Sequence, residues 1–258
     1  MAKFLFALFS MLAGGSIVAA GPVFPLEPAQ VNISDRASLQ RGAGLFMNYC
    51  SSCHSAGFMR YSRLAQDLGI TEAQVMENLN FTGAKFGDTI KASMPAGDAT
   101  TWFGAAPPDL SLTARAKLGG ADWIYTYLKS FYVDESRSIG WNNPVLPNAS
   151  MPHVLWELQG TQRLVTAPIP VGADGRPGHC EKGEVADACL VGFETVEAGI
   201  LDAEAYDQVA RDISNFLQYV AEPAALQRAA YGPWVILFLA FFTFLAWLLK
   251  AEYWKDVH

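Results

Sequence analysis

The chain has 258 residues, room for one sizeable domain or two small ones, and 51% of them are hydrophobic against 17% charged. Its 25 acidic and 18 basic side chains give a net charge of −7, which excludes the basic footprint of a nucleic-acid-binding protein. The mean hydropathy of +0.16 is high for a protein wetted on all sides, so the apolar excess has to be located.

It sits at the two ends. The start carries Lys3, an apolar run over residues 4–12 and small residues ending in Val18-Ala19-Ala20. That is a secretory signal pattern, with cleavage expected after Ala20 and an exported domain over 21–230. The break at Gly14-Gly15-Ser16 leaves its apolar core short of the ~20 residues that a membrane span needs. In chain order, Ser34 or Asp35 then caps a helix that runs through "RASLQRGAGLFMNYC".

This helix leads into Cys50-Ser51-Ser52-Cys53-His54, the spacing that attaches a c-type haem. Two thiols on one side of a turn can form thioethers with the porphyrin vinyl groups, and the adjacent imidazole then faces the iron. Cys50 and Cys53 are therefore expected to bind one haem c covalently, with His54 as the proximal ligand. A redox pair or a structural disulfide uses the same cysteine spacing, but the βαβ pattern of a thioredoxin-like site is missing.

Further along, Thr71 and Gln74 form a capping box ahead of "AQVMENL". A helical stripe runs through Trp123, Ile124, Tyr127, Leu128 and Phe131. The clearest helix begins after Asp202, with Tyr206, Val209, Ala210, Ile213, Phe216, Leu217 and Val220 on one face, and Pro223 stops it. The segments 81–119 and 132–200 read as long loops, with short strands possible at 154–160 and 190–201. Loops of that length need something to wrap, and a haem supplies it. The fold class is therefore mainly α with little β. Residues 229–249 are uncharged and long enough to cross a ~30 Å bilayer core at ~1.5 Å per residue. Tyr231, Trp234, Trp247, Tyr253 and Trp254 fall at its two rims. A transmembrane anchor is expected over 231–250, followed by a short cytoplasmic tail over 251–258.

Charge is also informative by position. Residues 174–222 hold eleven acids against Arg176, Lys182 and Arg211, which is essentially the whole net charge of the exported part. A field of this sign favours a cationic docking partner.

Spacing alone leaves the sixth iron ligand open. His153, His179 and His258 are the remaining histidines, and Met94 and Met151 both stand in a Met-Pro context that exposes a thioether on a turn. Cys180 and Cys189 are left over. In an oxidising compartment they are expected to form a disulfide that braces the segment after Met151. A metal site sharing His179 is the alternative.

The succession "RGAGLFMNYCSSCHS", "MRYSRLA", "AAPPDLSLTARAKLGGADWIYTYL", "MPHVLWELQG" and "FLQYVAEPAALQR" before one C-terminal span resembles the cytochrome c1 family, the haem subunits of quinol:cytochrome c oxidoreductase (cytochrome bc1) complexes. The resemblance covers nearly all of the exported region and the anchor. It implies Met151 as the sixth ligand, demotes Met94, and places Pro107, Pro108 and Leu110 along the haem face. It also implies that Arg115 or Lys117 pairs with a haem propionate, although the family commonly has arginine where Lys117 stands. By the same resemblance the partners would be cytochrome b, a Rieske iron-sulfur subunit and a cytochrome c acceptor, in a dimeric complex of a bacterial inner membrane with the haem domain periplasmic. The chain itself would be a non-catalytic relay. The rival readings are an anchored c-type subunit of another oxidase or dehydrogenase, and a ligand-binding haem sensor.

Overall fold

A computed structural model describes residues 24–172, 178, 180–185 and 188–255. The signal segment, His179 and His258 lie outside the described residues.

Helix α1, Arg36–Leu45, starts at Asp35, whose side chain accepts the Ser38 amide, so Asp35 and not Ser34 is the cap. It widens into a single π-turn over Phe46–Cys50, the kind of irregularity that recurs at functional sites. Strand β1, Ala56–Arg60, and helix α2, Tyr61–Leu68, follow, and then α3, Glu72–Asn78, with both halves of the Thr71–Gln74 capping box formed. Strand β2 is the two-residue Thr89–Ile90, antiparallel to β1. Helices α4, Ala96–Phe103, α5, Thr113–Ala116, and α6, Ala121–Lys129, come next. A ribbon of β3, Tyr132–Val133, and β4, Trp141–Asn142, then leads to the short helix α7, Trp156–Gln159.

The last third of the exported region holds more sheet than expected. Strand β5, Gly160–Ala167, pairs along its length with β7, Ala188–Ala198, which also takes the short β6, Glu184–Val185. Much of the 132–200 loop is thus a twisted ribbon. Its alternation is hidden because both faces of β7 are largely exposed, so no apolar period marks it. "VLWELQG" is mainly turn and helix α7, and its glycine opens β5.

Helix α8, Ala203–Ala221, begins at the Asp202 cap and is the spine of the core. Phe216, Ala210, Ile213 and Tyr219 are fully enclosed, in one cluster with Leu39, Phe46, Leu64 and Leu68. Helices α1 and α8 meet at Gly42, where an added Cβ would lie 2.7 Å from that of Phe216 and against the Asp212 carbonyl. Only a residue without a side chain permits that approach. The crossing is also pinned by polar groups. The enclosed Asp212 carboxylate accepts from Ser38 Oγ at 2.6 Å, from Gln208 Nε2 at 2.8 Å and from Arg41 at 2.6 and 2.9 Å.

The final helix, α9, Ala225–Tyr253, begins earlier than the apolar run and passes through Pro233 rather than starting there. The missing amide costs little at that depth, because the carbonyl it leaves free lies at the wet end of the helix. Its stretch Ala230–Tyr253 has the length and hydropathy of a membrane span, and its apolar core is not buried among the described residues.

Candidate haem site

The Cys50–His54 turn grows directly out of the π-turn. The Cys53 and His54 amides donate to the Cys50 carbonyl at 3.0 and 2.8 Å, which folds the two cysteines and the histidine into one loop. Cys50 is buried, Cys53 is half-buried, and neither is bridged. Burial pushes the Cys50 thiol up to about 12, the opposite of what a thiol-exchange pair requires.

The histidine is oriented from the proline-rich segment. His54 Nδ1 lies 2.8 Å from the Pro108 carbonyl, which can only accept, so Nδ1 carries the proton and Nε2 keeps its lone pair. A metal-binding imidazole is held in this way by its second nitrogen. Burial lowers the His54 pKa, opposed by the Pro108 carbonyl and the Asp109 charge, so the ring stays neutral near pH 7.

The segment carrying Pro108 is strapped to the strand after His54. Leu110 N donates to the Ser55 carbonyl at 2.8 Å, Gly57 N to Asp109 Oδ2 at 2.8 Å, and Phe58 N to Ser111 Oγ at 3.0 Å. Asp109 also accepts the Ser111 amide at 2.7 Å. A Cβ at Gly57 would sit 2.8 Å from that carboxylate, which explains the glycine. Asp109, Ser111, Ser55 and Gly57 are site-building residues that a search for ligands alone passes over. Their signal was present in the "PPDLS" and "CHSAG" strings.

Met94 is tied to the same loop, its amide donating to the Ser52 carbonyl at 3.0 Å. Met151 is half-buried at the head of a turn whose next residues, Val154 and Leu155, join the apolar cluster that contains Cys50, Phe46 and Met47. His153 is 2% exposed. Its ring stacks on Phe131 at 5.1 Å and 7°, and the edge of Trp141 closes the other side at 5.2 Å. Burial draws its pKa down to about 4 against the opposing Gln159 side chain. An imidazole enclosed in this way belongs to the core and is not offered to an iron.

Arg115 and Lys117 are exposed, and the Lys117 ammonium rests 4.6 Å above the Trp123 ring. Pro107 and Leu110 are half-buried, and Leu110 packs on the core.

Cys180 and Cys189 form a disulfide. Cys189 lies on β7 opposite Ala167 and Glu184, so the bond clasps the end of the three-stranded sheet. With both sulfurs bonded, a shared metal site with His179 has lost its thiolates. Replacing both cysteines by alanine is expected to lower stability by about 2–3 kcal/mol, the chain-entropy value for a loop this short. Thermal unfolding checks it, and reductant should produce the same loss in the unmodified protein.

The acid-rich segment is less free than its count suggests. Asp212 is enclosed, and Asp207 turns inward to Tyr125, Lys129 at 2.8 Å and Arg211 at 2.7 Å. Burial alone would raise the Asp207 carboxyl, but these donors win and hold it at about 2. Glu194 pairs with Arg163 at 2.9 Å and Glu222 with Arg228. Glu181, Glu184, Glu197 and Glu204 remain outward-facing among the described acids.

A π-turn that ends in two unbridged cysteines and a histidine with a free Nε2, set on a mainly helical domain with one apolar C-terminal helix, defines a membrane-anchored c-type haem protein. The residues present fit that group. Comparison with known sequences places it further: a model of the Cytochrome C1 family matches residues 29–163 and 183–257, and the chain belongs to that family. It is 48% identical over 258 residues to cytochrome c1 of Allochromatium vinosum, covering the whole of both proteins. It is 40% identical to a protein of Nitrosomonas europaea named ammonia monooxygenase gamma subunit, over all of this chain and 99% of that one. Cytochrome c1 of Rhodospirillum rubrum is 28% identical over 86% of this chain and 83% of its own length. A c-type haem is the group this family carries, and the chain is a membrane-anchored haem subunit of electron transport.

Proposed function

We propose that this chain relays single electrons inside a quinol:cytochrome c oxidoreductase, taking them from a Rieske iron-sulfur subunit and passing them to a cytochrome c. In this reading Cys50 and Cys53 would hold one haem by thioether bonds, and His54 Nε2 and Met151 Sδ would be the ligands of its iron. The observation that carries it is the His54 Nδ1 to Pro108 contact of 2.8 Å, which leaves the ligand nitrogen unprotonated and fixed in direction. The bound group supplies reversible one-electron exchange, and a methionine–histidine pair raises its potential and leaves no open coordination site.

The chain's own residues do the rest. The Pro108–Ser111 strap holds the histidine still, Arg115 or Lys117 balances propionate charge, and the outward-facing glutamates of 181–204 attract the positive face of a cytochrome c. The signal peptide is residues 1–20, the haem domain 21–230 is periplasmic, 231–250 crosses the inner membrane, and 251–258 is cytoplasmic. Cytochrome b and a second copy of the assembly complete a dimeric complex.

Purification in mild detergent through a tag on this chain tests the reading. Cytochrome b and a Rieske subunit are expected to elute with it, and their absence overturns the assignment to that complex. A second reading rests on the name of the Nitrosomonas relative, a gamma subunit of an ammonia monooxygenase. Co-elution of oxygenase subunits instead would select it.

A further inference from the structure

Among the described residues, four buried side-chain polar atoms have no hydrogen-bond partner, and two of them, His153 Nε2 and Gln159 Oε1, belong to side chains that face each other. The amide nitrogen of Gln159 is already committed to the Lys129 carbonyl at 2.9 Å. That fixes which end of the amide points at the ring, since a carbonyl accepts only from NH2. One arrangement satisfies both orphans: His153 is the Nε2–H tautomer and donates to Gln159 Oε1, directly or through one water. Leaving both unmade would cost more than forming one bond returns, because each is a buried polar group in an apolar setting.

The surroundings make this contact a clamp. Phe131 and Trp141 prevent the ring from tilting. Phe131 is itself fixed by Tyr127 at 4.9 Å, and its carbonyl accepts from Gln162 Nε2 at 2.7 Å. Gln162 also reaches the Lys129 carbonyl at 2.9 Å. The buried segment after helix α6, together with β4 and the end of α7, thus encloses one imidazole, and Gln162 at the start of β5 braces that segment. That imidazole is two residues from Met151, with only Pro152 between them. Proline locks φ at the intervening position, so a fixed ring at 153 narrows the directions open to 151.

We propose that His153, latched to Gln159 and caged by Phe131 and Trp141, is the positioning residue that sets the Met151 thioether toward the haem iron. The inference rests on the reading of Met151 as the sixth ligand. It assigns His153 no bond to iron.

The test compares His153→Phe, Gln159→Leu and Met151→Leu in the full-length, haem-loaded protein. Phenylalanine keeps the stacking and removes the N–H, and Gln159→Leu removes the acceptor if the first variant fails to accumulate. Either latch variant should keep its haem yet bind carbon monoxide in the reduced state roughly tenfold more readily, the scale of one lost buried hydrogen bond. The methionine-to-iron charge-transfer band of the oxidised protein should weaken and the potential should fall. Wild-type carbon monoxide binding, band and potential in both latch variants, with Met151→Leu open to carbon monoxide, would overturn the latch alone. A Met151→Leu protein that stays closed would remove the ligand reading, and the latch with it.

Discussion

Exchanging Met151 for leucine should leave the haem attached and the domain folded, and convert the iron from a closed to an open site. The reduced variant should bind carbon monoxide rapidly at neutral pH, where the parent protein does so slowly or not at all. Its potential should drop substantially, because a thioether ligand favours the reduced iron. The same exchange at Met94 should change neither quantity. The asymmetry follows from the two segments: the Met94 amide is bound to the Ser52 carbonyl of the cysteine loop itself, whereas Met151 lies in a separate segment, two residues before the His153 ring enclosed by Phe131 and Trp141. Leucine is close to methionine in volume, so any loss of stability should stay below ~1.5 kcal/mol. A large spectroscopic change with a small stability change separates a ligand from a core residue. Carbon monoxide titration and potentiometry on the two variants read it directly, and an open iron in Met94→Leu would reverse the assignment.

The second large effect is expected far from the iron. Asp212→Ala should destabilise the domain by roughly 1–3 kcal/mol, since it leaves the buried Ser38 hydroxyl without its acceptor, while the exposed Gln208 amide can turn to water. Arg41 is half-exposed and can return to water, so it adds little of its own. The loss should appear as a lowered thermal midpoint with an unchanged haem spectrum below the transition. Asp212→Asn, which keeps an acceptor oxygen, should recover part of it. A comparable loss in Glu194→Ala would contradict the argument, because the Arg163–Glu194 pair is exposed on both sides and worth at most ~1 kcal/mol.

These two sites show how differently the sequence reveals its contents. The Cys50-Ser51-Ser52-Cys53-His54 string is local, so covalent geometry alone nearly determines what it can bind, and the structure adds the orientation of the imidazole. The helix after Asp202 was legible because 3.6-residue periodicity, an N-cap and a terminating proline agree. The β5–β7 ribbon was not. Its residues face water on both sides, its two strands are separated by a long connection, and nothing in their composition separates them from a loop. The acidic excess of 174–222 was legible as a sum but not as a surface, because a charge count does not say that Asp207 and Asp212 point inward.

By itself the sequence determined what rests on near neighbours and on composition: one haem-attachment turn, an apolar span at the C-terminal end, a mainly helical domain between, and a leftover cysteine pair. Tertiary structure alone decided what depends on residues brought together from a distance. It joined Pro108 to His54 across 54 positions, Asp212 to Ser38 across 174, and Phe131 to His153. The physical reason is the range of the forces. Helix caps, turns and hydrophobic period act over a few residues and are written in order along the chain. The direction of an imidazole proton or the neutralisation of a buried carboxylate is set by whichever group packing delivers, and that is known only once the core has closed.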